Sequence, residues 1–116
     1  MQQSIVEIVY VGLGSNLDNP ISQLKTAINA ISQDAQINVL RVSSFYQSKA
    51  WGNVNQPDFI NAVIALKTNY APLELLSKLQ KIEKNQGRLR GSEKWSARTL
   101  DLDILLFGNL TLNCEQ

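Results

Sequence analysis

The sequence predicts an α+β domain of ferredoxin-like βαββαβ order, an antiparallel sheet with both helices on one face. Three observations predict it. Four runs of strand length and strand composition occupy residues 5–11, 37–46, 58–68 and 99–107. Two stretches with apolar residues every three or four positions lie between the first and second runs and between the third and fourth. No repeat or low-complexity linker interrupts the 116 residues, so one domain spanning 1–116 is expected.

The first run is apolar and β-branched apart from Glu7, as in a central strand. Gly12-Leu13-Gly14-Ser15-Asn16-Leu17 follows, and reads as a tight strand exit that uses glycine's backbone freedom. A dinucleotide fingerprint would need its third glycine at Leu17, and no Walker loop occurs. Asn19-Pro20 marks a helix start, with Asn19 a candidate N-cap. Ile21, Leu24, Ile28, Ile31 and Ala35 form the inward stripe. The second run alternates from Ile37 to Tyr46, and residues 47–57 form a polar loop carrying Trp51.

In the third run Ile60, Ala62, Ile64 and Leu66 share a wholly apolar face, which assigns it to the core. Phe59 and Asn61 share the other. An amide offers two donors and an acceptor, and an aromatic offers a stacking surface; the pair suits a flat heterocycle, or the asparagine is satisfied by backbone. The second helix starts at Ala71-Pro72 and buries Leu75, Leu76, Leu79 and Ile82, with Gly87 expected at C′. Gln80 and Glu83, three apart, share a neighbouring stripe. Gly108-Asn109 reads as a hairpin turn, and Leu110–Leu112 as the start of a further strand.

The chemistry concentrates in residues 87–107, GRLRGSEKWSARTLDLDILLF. Alternation puts Leu100, Leu102, Ile104 and Leu106 on the core side, and Asp101 and Asp103 on the other with Leu105 and Phe107. The two aspartate Cα atoms would lie ~6.5–7 Å apart. Carboxylates so close need a shared proton, an arginine or a cation between them. Mg²⁺ suits them, because it prefers hard oxygen ligands and is often held by one or two carboxylates together with substrate phosphates. Arg88, Arg90 and Arg98 could grip phosphate oxygens, or simply pair with the aspartates on the surface.

Arg88-Leu89-Arg90, Trp95, Arg98 and Thr99-Leu100-Asp101-Leu102-Asp103-Ile104 together resemble the signature of the 6-hydroxymethyl-7,8-dihydropterin pyrophosphokinases. Gly14-Ser15-Asn16-Leu17, Ser43-Ser44-Phe45-Tyr46 and residues 56–62, QPDFINA, agree with it in order and spacing. The resemblance implies Mg²⁺-dependent transfer of pyrophosphate from ATP to the pterin hydroxymethyl group, with release of AMP, in folate biosynthesis. It implies two Mg²⁺ on Asp101 and Asp103, with Arg88 and Arg98 at the transferred group. Gln80, Glu83, Arg90, Trp95, Arg98 and Ile104 are then expected at ATP. Ser48, Lys49, Trp51, Phe59 and Asn61 are expected at the pterin, the first three through a segment whose backbone does the binding. Lys49 stands where the family often has proline, and Trp51 is bulkier than the usual aliphatic residue. The family also carries a later segment with a His-Pro motif, an arginine and an aromatic that the sequence to Gln116 lacks. A shortened, catalytically impaired paralogue or fragment that only binds nucleotide or pterin is therefore the alternative.

Composition narrows the classes further. A net charge of +1 makes no general polyanion-binding field, so phosphate recognition must be local; three of the four arginines lie within Arg88–Arg98. No nucleic-acid partner is expected, and the aromatic RNA-binding signature is missing. With no histidine, His acid–base catalysis and His-liganded metals are excluded. Cys114 is the sole cysteine, which excludes an internal disulfide. No run reaches membrane-spanning length and no signal peptide is evident. A cytoplasmic monomer is expected.

Overall fold

A computed structural model describes residues 6–16, 19–49, 58–89 and 100–108, with the backbone alone at 87–89. The chain runs β1 (Glu7–Ser15), α1 (Pro20–Ser32), β2 (Ile37–Val42), β3 (Tyr46–Ser48), β4 (Phe59–Thr68), α2 (Pro72–Leu89) and β5 (Asp101–Phe107). The sheet order is β2-β4-β1-β5, with β3 also paired to β4, and every pairing is antiparallel. Both helices pack on one face. Val9, Val11 and Leu13 of β1, Ala62, Ile64 and Leu66 of β4, and Leu102 and Ile104 of β5 form a buried layer. Leu24, Ala27 and Ile31 of α1 and Leu75 and Leu79 of α2 close over it. This is the expected ferredoxin-like α+β arrangement, with one strand more.

The extra strand comes from a break. A single strand over residues 37–46 does not form; β2 ends at Val42 and the chain resumes as β3 on the same partner, β4. The break is held by Ser43, whose N–H donates to the Val63 carbonyl and whose Oγ accepts from the Val63 N–H, each at 2.8 Å. The hydroxyl thus takes over a ladder position where the backbone turns away.

Four local expectations are corrected. Gly12 and Gly14 lie inside β1, which runs on to Ser15, and neither has a positive φ. What they supply is missing side chains. Asn19 does stand at the N-cap with Pro20 next, but in the left-handed region (φ 63°) and with no side-chain capping bond. In α1 the inward stripe is Leu24, Ala27, Ile28 and Ile31; Ile21 is 48% exposed, and Ala35 falls after the helix. Gly87 does not end α2, which continues to Leu89.

A fifth correction concerns the far end of β5. Val11 pairs with Ile104 and Tyr10 with Leu106, so Leu105 is an extra residue on the β5 side. Such a bulge inverts the alternation beyond it. Leu106 is therefore on the exposed side (37%) and Phe107 in the core (4%), the reverse of the simple pattern. Gly108 follows with φ 57° and donates its N–H to the Ile8 carbonyl, which carries the pairing with β1 one residue further; Asn109, the second residue of the expected turn, lies outside the described residues. The run Leu110–Leu112 lies outside the described residues.

Candidate pterin and nucleotide site

The bulge leaves the other end of β5 in register. Leu100, Leu102 and Ile104 are each 8% exposed or less, so Asp101 and Asp103 turn to the side away from the helices. Asp101 is half-buried and Asp103 exposed. Across the ladder Asp101 pairs with Gly14 and Asp103 with Gly12. On the far side of β1, Gly14 pairs with Asn61. Directly paired residues share a face, so Asn61, Gly14 and Asp101 form one row across the open side of the sheet. Two strand spacings put the ends of that row about 10 Å apart.

Gly14 makes the row passable. A β-carbon there would lie 3.0 Å from Asn61 Oδ1 and 3.9 Å from a Phe59 ring carbon. At Gly12 it would meet the Leu105 side chain at 3.4 Å, so the bulged residue leans over that position. The Asn61 and Asp101 positions therefore flank a stretch of strand without a β-carbon, over which the Asn61 amide oxygen leans.

Three of the residues expected at the pterin meet here. Asn61 Nδ2 donates to Ser48 Oγ at 2.8 Å and lies 3.4 Å from the Tyr46 carbonyl. Phe59 pairs with Ser48 across β3 and β4 and stands on the same face as Asn61. Ser48 is thus part of a short strand and not of the loop in which it was expected. Lys49 follows it and is exposed; Trp51 lies outside the described residues.

The residues expected at ATP divide. Gln80 is exposed on α2, and Glu83 is half-buried with its Oε2 accepting the Leu102 N–H at 2.7 Å. The Ile104 side chain is buried in the core, which leaves only its backbone to face a ligand. Arg88 lies in the last turn of α2, placed there by its backbone. Arg90, Trp95 and Arg98 lie outside the described residues.

Sequence reasoning missed a buried polar contact between the helices. Gln86 is 7% exposed, and its Nε2 donates to the carbonyl and to Oε1 of Gln23 on α1. A glutamine in a polar stretch of helix gives no sign of burial; only the approach of α1 does so.

Among the described residues no group of three or more His, Cys, Asp or Glu side chains could hold a metal. A cation at Asp101 and Asp103 would take its remaining ligands from water and phosphate. The pair fits that task, since both carboxylates rise from the open face beside strand positions without β-carbons.

Fold and site define a ferredoxin-like α+β domain with an amide–glycine–carboxylate row on its open face. The family model for 7,8-dihydro-6-hydroxymethylpterin-pyrophosphokinase (HPPK) matches residues 10–115, and the chain belongs to that family. It is similar to the 2-amino-4-hydroxy-6-hydroxymethyldihydropteridine pyrophosphokinase of Haemophilus influenzae, at 50% identity over 107 residues, 92% of this chain and 66% of that protein. The protein of the same name in Pseudomonas aeruginosa is 48% identical over 109 residues, 94% of this chain and 67% of the relative. The chain thus spans about two thirds of the length of both. Among solved structures, Plasmodium falciparum HPPK-DHPS A437G with pteroate superposes with a TM-score of 0.66 at 14% identity, over 93% of this chain and 29% of that one. That likeness concerns the fold.

Proposed function

We propose that this chain transfers pyrophosphate from ATP to 6-hydroxymethyl-7,8-dihydropterin, releasing AMP, as a single domain in the cytoplasm. The row Asn61–Gly14–Asp101 is the observation that carries this reading. It sets the strand positions of Asn61 and Asp101 about 10 Å apart, with only the Gly14 backbone at the position between them. That span leaves room for a pterin at one end and a polyphosphate at the other.

Asn61 and Ser48 would bind the ring edge, since with the Asn61 amide group directed to Ser48 Oγ and the Tyr46 carbonyl, the Ser48 hydroxyl proton and the Asn61 amide oxygen remain to offer. Phe59 would lie against the ring. Asp101 and Asp103 would hold two Mg²⁺, and Arg88 and Arg98 would grip the transferred group, with Arg90, Trp95 and Gln80 around the nucleotide; the Glu83 carboxylate is turned to the β5 backbone. When bound, the ions would offset charge on the triphosphate oxygens and favour in-line attack. In the reaction the pterin hydroxyl oxygen bonds to the β-phosphorus, the bond from that phosphorus to the α–β bridging oxygen breaks, and AMP leaves. The hydroxyl proton passes to solvent. Positioning and charge dominate such transfers, so a sequence without histidine can carry the step. Substrates are then small molecules, and among the described residues no helix is long and apolar enough to cross a membrane.

The chain incubated with hydroxymethyl-dihydropterin, ATP and Mg²⁺ is expected to form AMP. A folded chain that binds either substrate but forms no AMP would leave only the binding role. Gly14→Ala tests the open row: its methyl group would press on Asn61 Oδ1. The expected result is a higher KM for the pterin with a smaller change in KM for ATP.

A further inference from the structure

From the bond between Glu83 and Leu102 we infer that Glu83 is a positioning residue for the carboxylate pair, acting through the backbone of β5. The inference rests on the reading of Asp101 and Asp103 as metal ligands. Among the described strands β5 lies at one edge of the sheet. Edge strands carry backbone N–H groups that no strand neighbour satisfies. The Leu102 N–H goes to Glu83 Oε2 of α2, at 2.7 Å. A carboxylate accepting a backbone N–H makes a short, charge-assisted bond.

The position of that bond gives it a role. Leu102 is the residue between the two aspartates. Its side chain is locked in the core at 4% exposure, and its N–H is locked to the helix. The peptide from Asp101 to Leu102 is thereby held from two directions. Since Cβ directions follow the backbone, the angle between the two carboxylates follows as well. Partners that orient ligands in this way commonly change metal affinity or activity by ~10–100-fold when removed.

The test compares Glu83→Ala, Glu83→Gln and Asp101→Ala in the chain. Two readouts are used: hydrogen exchange at the Leu102 amide, and Mn²⁺ binding with a non-hydrolysable ATP analogue, followed by electron paramagnetic resonance. E83A is expected to speed exchange at Leu102 and to weaken Mn²⁺ binding ~10–100-fold. E83Q keeps a carbonyl acceptor and is expected to stay between E83A and the wild type in both. If E83A does not fold, Glu83→Asp replaces it; its carboxylate is one methylene short of the amide, and the same two losses are expected. Faster exchange with unchanged Mn²⁺ binding would overturn the inference and leave the bond a strand cap. Weaker nucleotide binding with Leu102 still protected would also overturn it, in favour of direct contact with ATP. D101A separates the two readings. If it leaves Mn²⁺ binding intact, the metal reading fails and the inference with it. If D101A abolishes binding while E83A does not, only the inference fails.

Discussion

Asp101→Ala and Asp103→Ala are each expected to lower AMP formation by more than ~100-fold. Removing an outer partner of a metal site commonly costs ~10–100-fold, and removing a ligand should exceed that. Among the described residues no further acidic cluster stands by to replace either carboxylate. Each variant should fold, because neither side chain is buried in the core layer. The checks are steady-state AMP release across a range of Mg²⁺ and a thermal melt of each variant. A wild-type rate with a wild-type melt in either one would contradict the assignment of that residue.

Phe107→Ala is expected to destabilise the chain by ~3–5 kcal/mol, as for other buried aromatics. Leu106→Ala should cost far less. The two residues differ because of the bulge at Leu105, which sends Phe107 (4% exposed) into the core and Leu106 (37%) outward. The strict alternation of a regular strand demands the opposite ranking. Urea unfolding of the two single variants checks it, and a larger loss for L106A would mean that the β5–β1 register runs without a bulge.

That pair marks where the sequence was legible and where it was not. Wherever one strand face is wholly apolar, as at Ile60, Ala62, Ile64 and Leu66 or at Leu100, Leu102 and Ile104, the period-two pattern assigned sides correctly. Past Ile104 it did not, because Leu105, Leu106 and Phe107 are all apolar and a bulge depends on the partner strand. The break after Val42 was hidden for a related reason. The hydroxyl of Ser43 replaces a ladder bond only because Val63 stands opposite.

For the site, residue types were legible and their meeting points were not. Asp101 and Asp103 are two apart, so one rule of strand geometry put them on one side. Their alignment with Asn61 depends on Gly14 pairing with both, across 47 and 87 residues of chain, by the residue numbers. Gly12 and Gly14 looked like punctuation because glycine is common in turns. In the sheet they act by what they lack, which becomes visible only once Asn61 and Leu105 are seen leaning over them. Glu83 was likewise marked as a polar helix position expected at ATP, and its bond to Leu102 is set by how α2 lies along β5.

One measurement bears most directly on whether the open face of the sheet holds the metal–nucleotide complex. Mn²⁺ added with a non-hydrolysable ATP analogue broadens nearby amide signals in a ¹⁵N-labelled chain. Broadening is expected to centre on residues 12–14 and 101–103, to spare residues 34–38 at the far end of the sheet, and to vanish in an Asp101→Ala, Asp103→Ala double variant. Broadening centred elsewhere, or persisting in the double variant, would contradict the account.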